Sequence, residues 1–84
     1  MAPIEILGLV AGTITSITFI PQVVKIWQTK SAKDLSLLML LLLMLNVILW
    51  LIYGFVVMSP SIIYTNSMVL AMSLIMLYFK VKFK

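Results

Sequence analysis

The chain has 84 residues, 64% of them hydrophobic, with a mean hydropathy of +1.27. A soluble domain would be closer to half apolar, so the surroundings of this chain are lipid. It carries six Lys, two carboxylates and no His or Cys, which leaves out disulfides, thiol chemistry, thiolate or imidazole metal sites and the usual base at neutral pH. No enzymatic activity, cofactor or metal is expected. The Lys residues do not gather into one face, so no nucleic-acid partner is expected either.

Three apolar stretches follow one another, at about residues 6–24, 37–57 and 61–79. Each has roughly the ~20 residues that a helix needs to cross a ~30 Å hydrocarbon core. Lipid offers no water to unpaired backbone groups, so each stretch should be α-helical. The expected fold is an all-α membrane protein, a single three-transmembrane-helix bundle with helices at about 4–27, 35–58 and 60–80. The first stretch is not read as a cleaved signal peptide, because residues 1–5 lack a basic run.

In the first stretch, Gly8, Gly12 and Ser16 form a small-xxx-small ridge that lets another helix approach closely. Thr15, Phe19 and Gln22 share one face, although Thr and Ser in a membrane helix commonly bond back to their own backbone. Pro21 lies in the second half of this helix. Its ring has no N–H for the carbonyl of Ile17 and pushes that carbonyl away, which makes a static kink or a hinge. Trp27, beside Lys25, fits an interfacial belt residue.

A polar loop, residues 28–34, leads to the second stretch, which Asp34 or Ser36 caps. Within it Asn46, Trp50 and Tyr53 fall at i, i+4 and i+7 on one face. Trp50 lies 13 residues past Leu37, roughly 20 Å into the membrane at 1.5 Å per residue. That is too deep for a belt residue. Asn46 reads as a contact between helices.

Ser59 as N-cap and Pro60 at the first helical position start the third helix. The short turn makes helices two and three antiparallel neighbours. Asn66 and Ser73 fall at i and i+7. Asn66 lies 13 residues before Phe79, which puts it at the depth of Trp50. An indole offers a flat apolar face, and a carboxamide offers donor and acceptor together. That pair suits a small sugar, with its C–H faces and hydroxyls. Asn46, Thr15 and Ser73 are further pocket-lining candidates. Met39, Met44, Met58, Met68, Met72 and Met76 read mainly as adaptable packing.

All six Lys flank the first loop or follow the third span, and with three spans those regions share a side. The positive-inside rule makes that side cytoplasmic and places the N-terminus outside. Glu5 and Asp34 lie at span boundaries and are expected to be solvated. Three helices cannot enclose a path for a monosaccharide, so two copies of the same orientation are expected to form a homodimer. The rival class is a non-transporting membrane assembly or accessory subunit, or a pore former; a further alternative is a transporter of another small solute.

Phe19-Ile20-Pro21-Gln22, the Lys/Thr/Ser-bearing loop after it, Trp50-Leu51-Ile52-Tyr53-Gly54 and Asn66 together resemble a PQ-loop repeat protein of the SemiSWEET type. This resemblance covers essentially the whole chain. It implies a parallel homodimer forming a six-helix sugar transporter of the bacterial inner membrane, with the third helix between the first two. It implies Trp50 and Asn66 as substrate residues, and a hinge at Pro21 and Gln22. It implies an outer gate at Tyr53 and an inner one at Phe19 and Met39. Several relatives carry an Arg and an Asp that close the outer gate; here those positions read Val57 and Ser59. Closure should then rest on Tyr53 and apolar packing.

Overall fold

The structure, a computed structural model, describes residues 2–83. It consists of three helices: α1 (Pro3–Thr29), α2 (Leu37–Val57) and α3 (Pro60–Phe83). All three are long and apolar enough to span a membrane. The molecule is 42 Å in its long dimension, which exceeds the ~30 Å hydrocarbon core.

The ends of the helices show why the chain divides where it does. Pro3 stands at the start of α1, where its missing N–H leaves no bond unmade. Ser36, not Asp34, caps α2 and accepts from the Met39 N–H at 3.2 Å. Ser59 Oγ accepts from the Ile62 N–H at 3.4 Å at the start of α3, and Pro60 occupies the first helical position. α1 and α2 both end on a residue with positive φ, Lys30 and Met58, each at 55°. Neither is glycine. The amide of Lys30 returns to the Ile26 carbonyl, and those of Met58 and Ser59 return to the Gly54 carbonyl. These bonds satisfy carbonyls that would otherwise have no partner.

α3 packs against both α1 and α2, and among the described residues α1 and α2 do not pack on each other. The small-residue ridge of α1 makes one of these contacts. A Cβ on Gly8 would stand 2.9 Å from Ser61 Oγ, and a Cβ on Gly12 would overlap the Thr65 side chain. Ser16, one turn further on, is fully buried. Gly8 meets Ser61 and Gly12 meets Thr65, so α1 and α3 run parallel. On the other side a Cβ on Gly54 would approach Ile62 Cγ2 at 2.8 Å, with α2 antiparallel to α3 across the tight Met58–Ser59 turn.

The apolar core sits at the Lys-bearing end. Ile26, Ala32, Leu40 and Met76 form it, with Phe19, Val23, Leu35 and Phe79 packed around them. Lys80 Nζ donates to the Ala32 carbonyl at 3.0 Å and ties the end of α3 to the loop between α1 and α2. Over the rest of the molecule little is covered. α1 buries only Ser16 and Ile26, and α2 only Leu40, Val47 and Gly54. Such wide apolar surfaces are stable only against lipid or a second copy.

Candidate functional site

The contact between Gly54 and Ile62 sets the depth of the site. Trp50 precedes Gly54 by one turn and Asn66 follows Ile62 by one turn. The helices are antiparallel, so each step moves about 6 Å toward the Lys-bearing end. Trp50 and Asn66 therefore lie at one level, on α2 and α3. On the parallel helix α1, the Gly12–Thr65 contact brings Thr13 to that level.

The Trp50 indole is 45% exposed and meets the Tyr53 ring edge to face, with centroids 5.4 Å apart and planes at 86°. The perpendicular contact braces the two rings against each other and leaves part of Trp50 uncovered. Asn66 is half-buried, and its Nδ2 donates to the Ile62 carbonyl at 3.0 Å. That single bond fixes the carboxamide. Its Oδ1 and second N–H make no bond among the described residues, so one acceptor and one donor remain for a ligand.

The other candidates fall in different places. Thr15 is exposed and donates to the Ala11 carbonyl at 3.1 Å. Thr13, Ser16 and Thr18 also bond back within α1, as residues of this kind do. Ser73 needs correction as a lining residue. It is fully buried inside the protomer and donates to the Leu70 carbonyl at 2.8 Å. The i, i+7 spacing gave it the face of Asn66, but toward this end α3 is covered by its neighbours. Asn46 is exposed and makes no hydrogen bond to another helix among the described residues, so within one protomer it is not a contact between helices.

The two inner-gate candidates are unlike each other. Phe19 is half-buried against the apolar core, whereas Met39 is 67% exposed. Pro21 and Gln22 are both exposed, and α1 continues unbroken through them.

Sequence reasoning missed a polar cluster at the opposite end. Glu5 is half-buried rather than solvated. Its carboxylate accepts from Ser59 Oγ at 2.7 and 2.8 Å and from the Ser61 N–H at 3.2 Å. An anion is thus held at the N-terminal end of α3, where unpaired amides favour it. The signal was available: three spans bring the start of α1 and the turn before α3 to one side. Ser59 is thus the donor to a carboxylate on α1.

Residues 3–63 match the family model described as the PQ loop repeat. The chain is 36% identical to the sugar transporter SemiSWEET of Bradyrhizobium diazoefficiens over 83% of its length and 81% of that protein's. It is also 36% identical to the sugar transporter SemiSWEET of Leptospira biflexa, over 90% of its length and 89% of that protein's. The chain belongs to the PQ-loop family and is a SemiSWEET-type member. A crystal structure of a bacterial homologue of SWEET transporters superposes on it with a TM-score of 0.91. That pair is 32% identical, and the match covers 95% of this chain and 96% of the other.

Membership accounts for the arrangement of the SemiSWEET helices. The third helix in sequence is the middle one in space, which leaves α1 and α2 on either flank with their outer faces bare. The Pro-Gln pair belongs to α1, on the flank. The Trp-x-x-Tyr-Gly run belongs to α2. Its Gly54 makes the close contact with α3, and its two aromatic rings stay on the open surface.

Proposed function

We propose that this protein carries a small sugar, a mono- or disaccharide, across a membrane by alternating access. Its working form in this reading is a homodimer of two parallel protomers. The observation that carries the proposal is the uncovered Trp50 indole at the level of a carboxamide with spare hydrogen-bonding capacity. This pair occurs in a chain resembling two proteins that are named as sugar transporters.

The chemistry follows from the residue types. An indole face takes the C–H face of a pyranose through apolar and dispersion contact. Asn66 offers hydroxyl groups an acceptor and a donor. One protomer supplies one such pair on an open surface. Two protomers facing each other across a two-fold axis supply two pairs around a closed space. No Lys or Arg lies between residues 37 and 79, which favours a neutral solute over one carrying a carboxylate.

In this reading Tyr53 narrows the outer mouth, Phe19 and Met39 the inner one, and α1 bends about Pro21 and Gln22. The end bearing the six Lys faces the cytoplasm by the positive-inside rule, in a bacterial inner membrane. Uptake of labelled sugars by proteoliposomes tests the reading. Saturable uptake of at least one mono- or disaccharide is expected. Liposomes that take up none, or that leak solutes without saturation, would point to an assembly subunit or a pore.

A further inference from the structure

A second polar feature lies away from the Trp50 level. Where the loop after α1 folds back over the last turns of that helix, it leaves a cleft of about 390 Å³. Lys25 and Lys33 line it together with Gln22, Ser31 and Asp34, above an apolar floor at Ile26 and Ala32. One water occupies about 30 Å³ of the liquid, so the space admits a phosphate group with part of its hydration.

The cleft is held in shape. The Lys80 ammonium donates to the Ala32 carbonyl, and the Leu35 amide donates to the same carbonyl at 3.0 Å. The Lys side chains that hydrogen-bond among the described residues are those of Lys80 and Lys82. Lys30 lies over the Trp27 and Phe83 rings. Lys25 and Lys33 are thus left to face the cleft, where Asp34 offsets one of their two charges. The net lining charge is positive, and Ser31 and Gln22 add neutral donors.

We propose that this cleft binds a phosphate group presented by an anionic phospholipid. Its position favours a lipid over a soluble ester. Gln22 lies inside the apolar stretch, while Lys25 follows directly on Val24, the last residue of it. The cleft therefore straddles the boundary where headgroups sit, and the 58% exposed Trp27 stands at the same boundary. Basic pockets at this depth draw anionic headgroups at a strength set by the number of nearby Lys.

Native mass spectrometry of the full chain, extracted from vesicles of equal phosphatidylglycerol and phosphatidylcholine, tests this. Phosphatidylglycerol should be retained over phosphatidylcholine. The Lys25→Gln/Lys33→Gln variant should retain it about 30-fold less, at roughly five- to sixfold per Lys. Asp34→Asn should retain more than the wild type, a gain that misfolding cannot mimic. Lys82→Gln removes a charge that does not line the cleft and should change retention little. Equal retention of the two lipids, an unaffected Lys25/Lys33 variant, or an equal loss in the Lys82→Gln control would overturn the proposal. Displacement of the lipid by millimolar glycerol phosphate would overturn the lipid as the source of the phosphate.

Discussion

At the scale of single residues, the site depends on what each side chain leaves unused. Asn66 spends one N–H on its own helix and keeps an acceptor and a donor. Trp50 is propped by Tyr53 and stays partly exposed. Asn66→Ala removes a hydrogen-bonding partner that a bound hydroxyl would otherwise lack, a loss of about 1–3 kcal/mol. Transport should fall roughly 5- to 150-fold. Trp50→Ala should lose most transport as well, and both variants should still elute from detergent chromatography as the wild type does. Wild-type initial rates in either would reject the residue as a substrate contact. Glu5 makes a separate prediction. Glu5→Ala should lower the melting temperature in detergent. Ser59→Ala should lower it too, but by less in the Glu5→Ala background than in the wild type, since the Ser59–Glu5 bonds are then already gone and the Ile62 cap is left to lose. Fully additive losses would mean that the two side chains do not act together.

At the scale of helices, α1 combines a tight contact with an interrupted ladder. The tight contact is at Gly12, where an added methyl group has no room beside Thr65. Gly12→Ala should destabilise the fold by about 1–3 kcal/mol, as overpacking does, although alanine is the better helix former. Pairing it with Thr65→Gly, which removes the Cβ as well as the γ atoms that the added methyl group meets, should restore part of the loss, as thermal melts of the four proteins of the cycle would read. The interruption is at Pro21, whose missing N–H leaves the Ile17 carbonyl without its helical donor. Pro21→Ala restores that bond. Sugar transport should slow while sugar binding, followed by Trp fluorescence, stays near the wild-type level. Unchanged transport would make Pro21 a static feature of a helix that runs continuously from Pro3 to Thr29. The sequence had announced the α1 ridge through the spacing of Gly8, Gly12 and Ser16. It could not say which helix would fill that ridge, because both later helices offer a small residue to such a surface, Gly54 on α2 and Ser61, Thr65 and Ala71 on α3.

At the scale of the molecule, the question is what drives transport. Proton coupling normally needs an Asp, Glu or His that titrates within the membrane. None lies in residues 6–24, 37–57 or 61–79. Glu5 is engaged by Ser59 and Ser61 at the margin of the first span, and Asp34 lies in the loop beside Lys33. Transport should therefore be uniport, driven by the sugar gradient alone. In proteoliposomes, counterflow should proceed, and net uptake should stop at equal concentrations whatever proton, sodium or voltage gradient is imposed. Accumulation above the external concentration under any such gradient would refute uniport.

The amino-acid sequence alone determined the number of spans, their helical state and the turns between them. It did so because these depend on local quantities: the length of an apolar run, the side chain at a cap, a proline at a first turn. It also determined the common depth of Trp50 and Asn66, since depth is residue count multiplied by a fixed rise. The tertiary structure decided what lies sideways around each helix. It turned Ser73 inward and left Asn46 outward, and it packed Phe19 while exposing Met39. It joined Glu5 to Ser59 across 54 positions of sequence. Periodicity tells which residues share a face, but which neighbour covers that face is fixed only when α3 settles between α1 and α2. Ridges, close glycine contacts and tied ends select that one arrangement among several that an almost uniformly apolar chain would allow.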